Sequence, residues 1–390
     1  MVMALCVWGL LQAYGHEAVP QYRSVDFTKL PVDSLRAKAD GGSVHSQVEL
    51  GMRYYQGIRG VSQDLGQAVY WFRKAAEAGK GDAQYNLALC YANGTGVEKD
   101  LSQAVHWYAQ AAAQGIQAAE FPLANYYFLG IGTAKDPAKA FELYRKVGDR
   151  GNKDAQSLVG YCYANGVGTA KDDAQAAEWY GKAAAQGDAA AQMNMANYCF
   201  LGLGVKQDNK AAAAWYEKAA RQGNAEAQER LGMFYYTGIR NPSDTTITDI
   251  PKDLSQATYW FQQAAEKGNP AAQANLGMCY AKGEGLTQDF DKAAMWLAKA
   301  ADNGYERAQL NLGLMYFTGG MGIAQDEAKA VSLFRKAAAQ GNAVAEYNLG
   351  VAYQDGRGVE QNESTARSWF EKAAAKGNKQ AKKKLAELNN

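Results

Sequence analysis

Seven prolines, five cysteines and three histidines in 390 residues leave little material for several kinds of chemistry. The histidines, His16, His45 and His106, are scattered, with no His-x-x-x-His spacing, and Cys-x-x-Cys does not occur, so neither a metal site nor a cofactor is expected. Charge of one sign is also missing. With 41 basic and 40 acidic residues the formal net charge is +1, which argues against a nucleic-acid partner. The one dense basic run, Lys382 to Lys384, reads as a solvated face. No apolar run reaches the roughly 18 residues that a membrane-spanning helix requires, so no stable membrane span is expected. The longest, Val2 to Leu11, suits the core of a secretory signal peptide, with Ala13 and Gly15 as the small residues before a cleavage at His16. No Lys or Arg precedes it. Residues 1–15 are therefore expected to direct export, periplasmic or secreted, with a cytoplasmic chain as the alternative.

What is abundant is repetition. From Gln84, equivalent positions follow at Glu120, Gln156, Gln192 and Gln228, each 36 residues on. Gln273, Gln309, Glu346 and Lys382 continue the series, and Gln47 precedes it. The period defines nine repeats, at 44–80, 81–116, 117–152, 153–188, 189–224, 225–269, 270–305, 306–342 and 343–378. A leader, 16–43, precedes them and a C-terminal capping helix, 379–390, follows. Each repeat predicts two helices. In the second, Ala83, Leu87, Ala88 and Tyr91 form one apolar stripe. Gly94-Thr95-Gly96-Val97 ends that helix, because glycine tolerates the positive φ of a helix exit. Asp100 then caps the next helix, with Gln103 three residues on; the spacing recurs at Asp64/Gln67, Asp172/Gln175 and Asp253/Gln256. That second helix carries Ala104, Trp107, Tyr108, Ala111 and Ala112 and stops at Gly115. Seven of the eight tryptophans share the Trp107 position: Trp71, Trp107, Trp179, Trp215, Trp260, Trp296 and Trp369. Large rings among alanines read as core.

The run Ala83-Gln84-Tyr85-Asn86-Leu87-Ala88, Gly94-Thr95-Gly96-Val97, Asp100, Ala104-x-x-Trp107-Tyr108-x-x-Ala111-Ala112-x-x-Gly115 resembles the Sel-like repeat family, a relative of the tetratricopeptide repeat. The third repeat departs furthest, since Pro122 interrupts its first helix and Val147-Gly148 replaces the Ala-Ala pair. The resemblance implies an all-α, right-handed superhelical solenoid whose first helices line a concave surface. It also implies a non-enzymatic scaffold or adaptor for a protein or peptide partner, with no small-molecule substrate. Some relatives are described as penicillin-binding or β-lactam-hydrolysing, which sets the alternative: a cell-envelope enzyme of that type, or an activator of one. No Ser-x-x-Lys and no Lys-Thr-Gly occurs, so the serine route has no residues to run on. Cys90, Cys162 and Cys279 sit six residues after the Gln position and Cys199 seven, which makes them small apolar fillers rather than the staples of the family's cysteine-rich branch.

Helical spacing and the analogy with tetratricopeptide repeats place the positions one, five and eight after the Gln on the concave side. They include Tyr85, Leu89, Phe121, Asn125, Phe128, Tyr161, Met193, Asn197, Phe200, Met233, Tyr236, Leu314 and Phe317. Aromatics, Met and Asn together offer apolar pockets and amides for a peptide backbone. The alternative is that some of them pack against neighbouring repeats. The sixth repeat also carries a nine-residue insertion within Ile239 to Pro251, where recognition loops are often found.

Overall fold

The computed structural model describes residues 29–241, 243–246, 248–319 and 323–388. The expected signal segment and residues 16–28 of the leader lie outside them. The chain divides into two compact units, Met1–Ala191 and Gln192–Asn390.

The first unit holds α1 (Val32–Asp40), α2 (Val44–Gln56), α3 (Leu65–Glu77), α4 (Gly81–Asn93), α5 (Leu101–Ala113), α6 (Gln117–Leu129), α7 (Pro137–Asp149), α8 (Lys153–Asn165) and α9 (Asp173–Ala185). The second holds α10 (Ala189–Leu201, which starts three residues earlier), α11 (Asn209–Arg221), α12 (Ala225–Thr237), α13 (Leu254–Glu266), α14 (Pro270–Lys282) and α15 (Phe290–Asp302). It continues through α16 (Glu306–Thr318), α17 (Glu327–Ala339), α18 (Ala343–Asp355), α19 (Glu363–Ala375) and α20 (Lys379–Leu388). Even-numbered helices from α2 to α18 are the first of each repeat, helix A; odd-numbered ones from α3 to α19 are the second, helix B. The α-solenoid expected from the period is what the chain forms.

Three devices set this pattern. Aspartate caps open the B helices up to α17, and Asn362 caps α19: the Asp100 carboxylate accepts from the amides of Ser102 and Gln103 at 2.9 and 3.0 Å, and Asp64 and Asp253 accept from Gln67 and Gln256 at 2.9 Å. Paired glycines set the A-to-B turn. Gly94 ends α4 at φ 74°, and Gly96, at φ 71°, lies so close to α3 that a Cβ there would stand 2.2 Å from the Leu65 carbonyl oxygen. The turn of one repeat is thus seated on the first residue of the preceding repeat's helix B. Third, a small residue of helix A receives the large ring of its own helix B. A Cβ at Gly51, Gly232 or Gly313 would come 2.7 Å from Phe72, Phe261 or Phe334, all buried.

The Gln that marks the period is the clasp between repeats, and it is buried throughout. Gln84 donates through Nε2 to the Ala76 carbonyl at 3.2 Å, and its Oε1 accepts from Gln114 Nε2 at 2.7 Å. Gln156 donates to Gly148 O at 3.0 Å and accepts from Gln186 at 2.7 Å. The clasp changes chemistry where the sequence puts glutamate in its place. Glu120 is paired with Arg150 and Lys146, and Glu346 with Lys376 at 2.6 Å. Amide meets amide, and acid meets base.

Two features differ from the sequence reading. The leader, placed outside the repeats by the period, joins them: α1 buries Leu35 and Ala39, and Ala39 O accepts from Gln47 Nε2 at 3.0 Å. It therefore takes the place of a helix B against the first helix A. Pro122 does not interrupt its helix, since α6 runs unbroken through it at the same 13-residue length as its equivalents. One missing backbone donor is tolerated there because Pro122 and its neighbours Phe121, Leu123 and Ala124 are all buried.

The tryptophan column is core at Trp71, Trp179 and Trp260, with 4–6% exposure, and half-buried at Trp107, Trp215, Trp296 and Trp369. Lysine three residues on covers one ring face, with Nζ 3.9 Å from the Trp215 centroid, 4.2 Å from Trp179 and Trp369, and 4.3 Å from Trp296. The insertion of the sixth repeat forms a short antiparallel ribbon, β1 (Ile239–Arg240) with β2 (Thr248–Ile250). It is docked on α11, whose Asn209 Nδ2 donates to Arg240 O at 2.9 Å and to Asp249 Oδ2 at 3.2 Å.

Candidate partner-binding face

Among the described residues no group of His, Cys, Asp and Glu could hold a metal ion. Cys90, Cys162, Cys199 and Cys279 are free and buried, and burial pushes the thiols of Cys90, Cys162 and Cys279 up to about 12. They fill repeat slots and are poor nucleophiles. No helix among the described residues is long and apolar enough to cross a membrane.

The residues expected to face a partner divide by exposure. In the first unit Tyr85, Phe121, Asn125 and Phe128 are buried, while Leu89 and Tyr161 are half-buried. Phe121, Asn125, Phe128 and Tyr161 close into a cluster around Tyr144, while Tyr85 and Leu89 pack with Tyr108. The Tyr144 hydroxyl donates to Asn125 Oδ1 at 2.7 Å, and Phe128 sits between Tyr144 and Tyr161 with centroids 6.0 and 6.1 Å away. In the second unit Met193 and Phe317 are buried; Asn197, Phe200, Met233, Tyr236 and Leu314 keep partial exposure. Asn197 accepts from the Tyr216 hydroxyl at 2.5 Å, and Phe200 lies 5.0 Å from Phe234 of the next helix A. Tyr236 donates to Glu284 Oε2 at 2.7 Å, a bond that holds its phenol up at about 12. Phe317 packs on Phe334, and the Arg357 guanidinium stands 3.8 Å from its centroid.

A column the helical-spacing argument passed over lies two residues after the Gln. It holds Asn86 in the first unit and Asn194, Asn275, Asn311 and Asn348 in the second. Two of these carboxamides, Asn86 and Asn275, reach the helix A before their own. Asn275 Nδ2 stands 3.4 Å from both Glu229 Oε1 and Met233 Sδ, and Asn86 Nδ2 3.8 Å from Met52 Sδ. Asn348 Nδ2 is buried and has no acceptor. Burial also raises the Glu229 carboxyl above its usual value. The recurrence of asparagine at one repeat position was the available signal.

Helix pairs joined by glycine turns and clasped repeat to repeat define a tandem-repeat protein. The particular family follows from comparison: the chain matches the Sel1 repeat model at 44–80, 81–116, 117–152, 153–188, 189–224, 225–269, 270–305, 306–342 and 343–378, and it belongs to the Sel1 repeat family. Among solved structures it is similar to a protective antigen present in uropathogenic Escherichia coli strains, which displays the same fold, at 34% identity and TM-score 0.66, over 92% of this chain and 82% of that one. A Sel1 repeat protein from Oxalobacter formigenes is 32% identical with TM-score 0.55, over 65% of this chain and 98% of its own. No curated protein matches the chain.

Proposed function

We propose that the chain is a non-enzymatic scaffold, exported from the cell, that binds an extended segment of a protein partner along the helix A row of its second unit. The observation that carries this reading is the combination of Met233, Tyr236 and Leu314, each partly exposed, with the carboxamides of Asn275, Asn311 and Asn348 on α14, α16 and α18. Apolar side chains spaced by repeat give a peptide's side chains somewhere to go. Amides between them match its backbone C=O and N–H groups. The Asn348 Nδ2 donor, buried without an acceptor, is the kind of group that a bound backbone carbonyl satisfies. The apolar run Val2 to Leu11 supports export.

The test is a peptide-display selection against the full chain, with Met233→Glu and Leu314→Glu compared with Tyr70→Glu and Met295→Glu, two exposed positions on B helices. Peptides selected on the wild type should lose binding to the first pair and keep it with the second. Equal loss on both faces, or loss only at the B-helix positions, would move the site off the helix A row.

A further inference from the structure

The clasp lacks its internal donor in two repeats: in the first, Ala78 stands at the helix B end and Gln47 Oε1 is buried with no donor, and in the sixth a glutamine faces a cation. In five repeats the Oε1 of the clasp Gln accepts from a carboxamide of the following helix B end: Gln114 on Gln84 and Gln186 on Gln156 at 2.7 Å, Gln222 on Gln192 at 2.8 Å, Gln340 on Gln309 at 2.9 Å, and Asn303 on Gln273 at 3.2 Å. Where that position carries a cation, the clasp residue is a glutamate, as in Glu120–Arg150 and Glu346–Lys376. The sixth repeat pairs Gln228 with a lysine, Lys267. Gln228 still donates to Ala220 O at 2.9 Å, but its Oε1 is buried and has no donor. Lys267 Nζ donates instead to Gly223 O at 2.7 Å. At this place the structure has a cleft of about 560 Å³ between α11 and α13, with Gln228 among its lining residues. Trp260 and Tyr259 form one wall, and Glu217, Arg221 and Lys267 are charged groups along it. Tyr259 is 53% exposed.

We infer that this cleft is a second binding site, which takes the carboxamide of a glutamine or asparagine side chain in a peptide. The incoming amide N–H meets Gln228 Oε1, supplying the bond that five other repeats make internally. Its carbonyl accepts from Lys267 Nζ once that exposed side chain leaves Gly223 O and swings over the ligand. Donor and acceptor are thus both matched, and the aromatic wall of Trp260 and Tyr259 covers the apolar stem. A carboxylate ligand lacks the N–H that Gln228 Oε1 requires. The site lies between the B helices α11 and α13, with Gln228 and Tyr235 of α12 also lining it, and includes none of Met233, Tyr236 and Leu314.

Isothermal titration of the full chain tests this with four probes: N-acetyl-Ala-Gln-Ala, N-acetyl-Ala-Glu-Ala, N-acetyl-Ala-Ala-Ala and free L-glutamine. The glutamine peptide should bind about tenfold more tightly than the glutamate and alanine peptides, the value of one hydrogen bond to a buried acceptor. Free L-glutamine should bind more weakly than the peptide. Lys267→Gln supplies the missing carboxamide from within and Gln228→Glu supplies the acid that pairs with Lys267. Each should abolish binding while keeping or raising Tm, so loss of binding cannot be put down to unfolding. Binding of the glutamine peptide unchanged in Lys267→Gln, equal binding of the glutamate peptide, or no binding of any probe overturns the inference. Free L-glutamine binding as tightly as the peptide overturns its assignment to a peptide partner.

Discussion

Replacing Gly96 with alanine perturbs the seat of one repeat on the previous one and little else. Gly94 and Gly96 have nearly the same backbone, φ 74° and 71°, so alanine carries the same left-handed penalty at either, about 1–2 kcal/mol. What differs is the neighbour. A Cβ at Gly94 meets Lys99 Cβ at 3.3 Å, within its own turn and able to give. A Cβ at Gly96 stands 2.2 Å from the Leu65 carbonyl oxygen and 2.5 Å from its carbon, backbone atoms at the start of α3. That overlap forces the turn off its seat at a further cost of about 1–3 kcal/mol. Gly94→Ala should therefore lower stability by about 1–2 kcal/mol, and Gly96→Ala by about 2–5 kcal/mol. The assay is urea unfolding followed by circular dichroism, with amide hydrogen exchange read in α3 because long repeat arrays need not unfold in one step. In Gly96→Ala the protection loss should reach Leu65 to Phe72 of α3, across the repeat boundary. Equal destabilisation by the two variants, with α3 exchange unchanged in both, would refute the claim that the loop glycine couples repeats.

Three further outcomes follow from the same geometry. Lys376→Ala leaves the buried Glu346 carboxylate without its 2.6 Å partner and should cost about 1–3 kcal/mol by urea melting, whereas the double change Glu346→Gln with Lys376→Gln rebuilds the amide clasp and should recover most of it; additive losses would remove the pairing from the account. Asp136, Asp289 and Asp326 are held below the usual carboxyl value of 3.8, first by the backbone amides of Lys139, Lys292 and Lys329. A depressed carboxyl contributes stability that is present above its unfolded value and lost as pH falls through its folded one. Tm should therefore drop below about pH 4, and drop less when all three are asparagine; parallel curves would show that the caps do not titrate with folding. In a chain carrying Cys6→Ser the four buried thiols should resist a disulfide reagent at pH 8 until urea unfolds the protein, and rapid labelling of the native chain would contradict their burial.

The parts legible in the sequence were those that recur. Gln84 and its equivalents, the Asp100 caps and the Gly94/Gly96 turn each repeat a local rule, so their spacing alone placed the helices. The half-repeat at α1 carried the same signal in weaker form: Ala39-x-x-Gly42 matches Ala76-x-x-Gly79, and Leu35 stands where Phe72 does. The Gln-centred pattern that marks each helix A does not recur ahead of it in the sequence, so no full period marked it. The binding face was less legible because helical spacing gives a side chain's direction from its own axis and not what the next repeat lays over it. Phe128 and Phe200 lie against Tyr161 and Phe234 of the following repeats. The asparagines two residues after the Gln fell outside the spacing argument; in the structure Asn86 and Asn275 reach the preceding helix A. The mismatch at Gln228 and Lys267 was present in the sequence as well, but only the clasp geometry gives it meaning.

The most direct test of the scaffold reading places a photocrosslinking amino acid at one position at a time, Met233 or Leu314 on the helix A row and Tyr70 or Met295 on B helices, in the full chain with a display-selected peptide bound. The account predicts crosslinks from Met233 and Leu314, competed by unlabelled peptide and absent when Asn348→Ala removes the unpaired donor. Crosslinks confined to Tyr70 or Met295, or unaffected by Asn348→Ala, would contradict it.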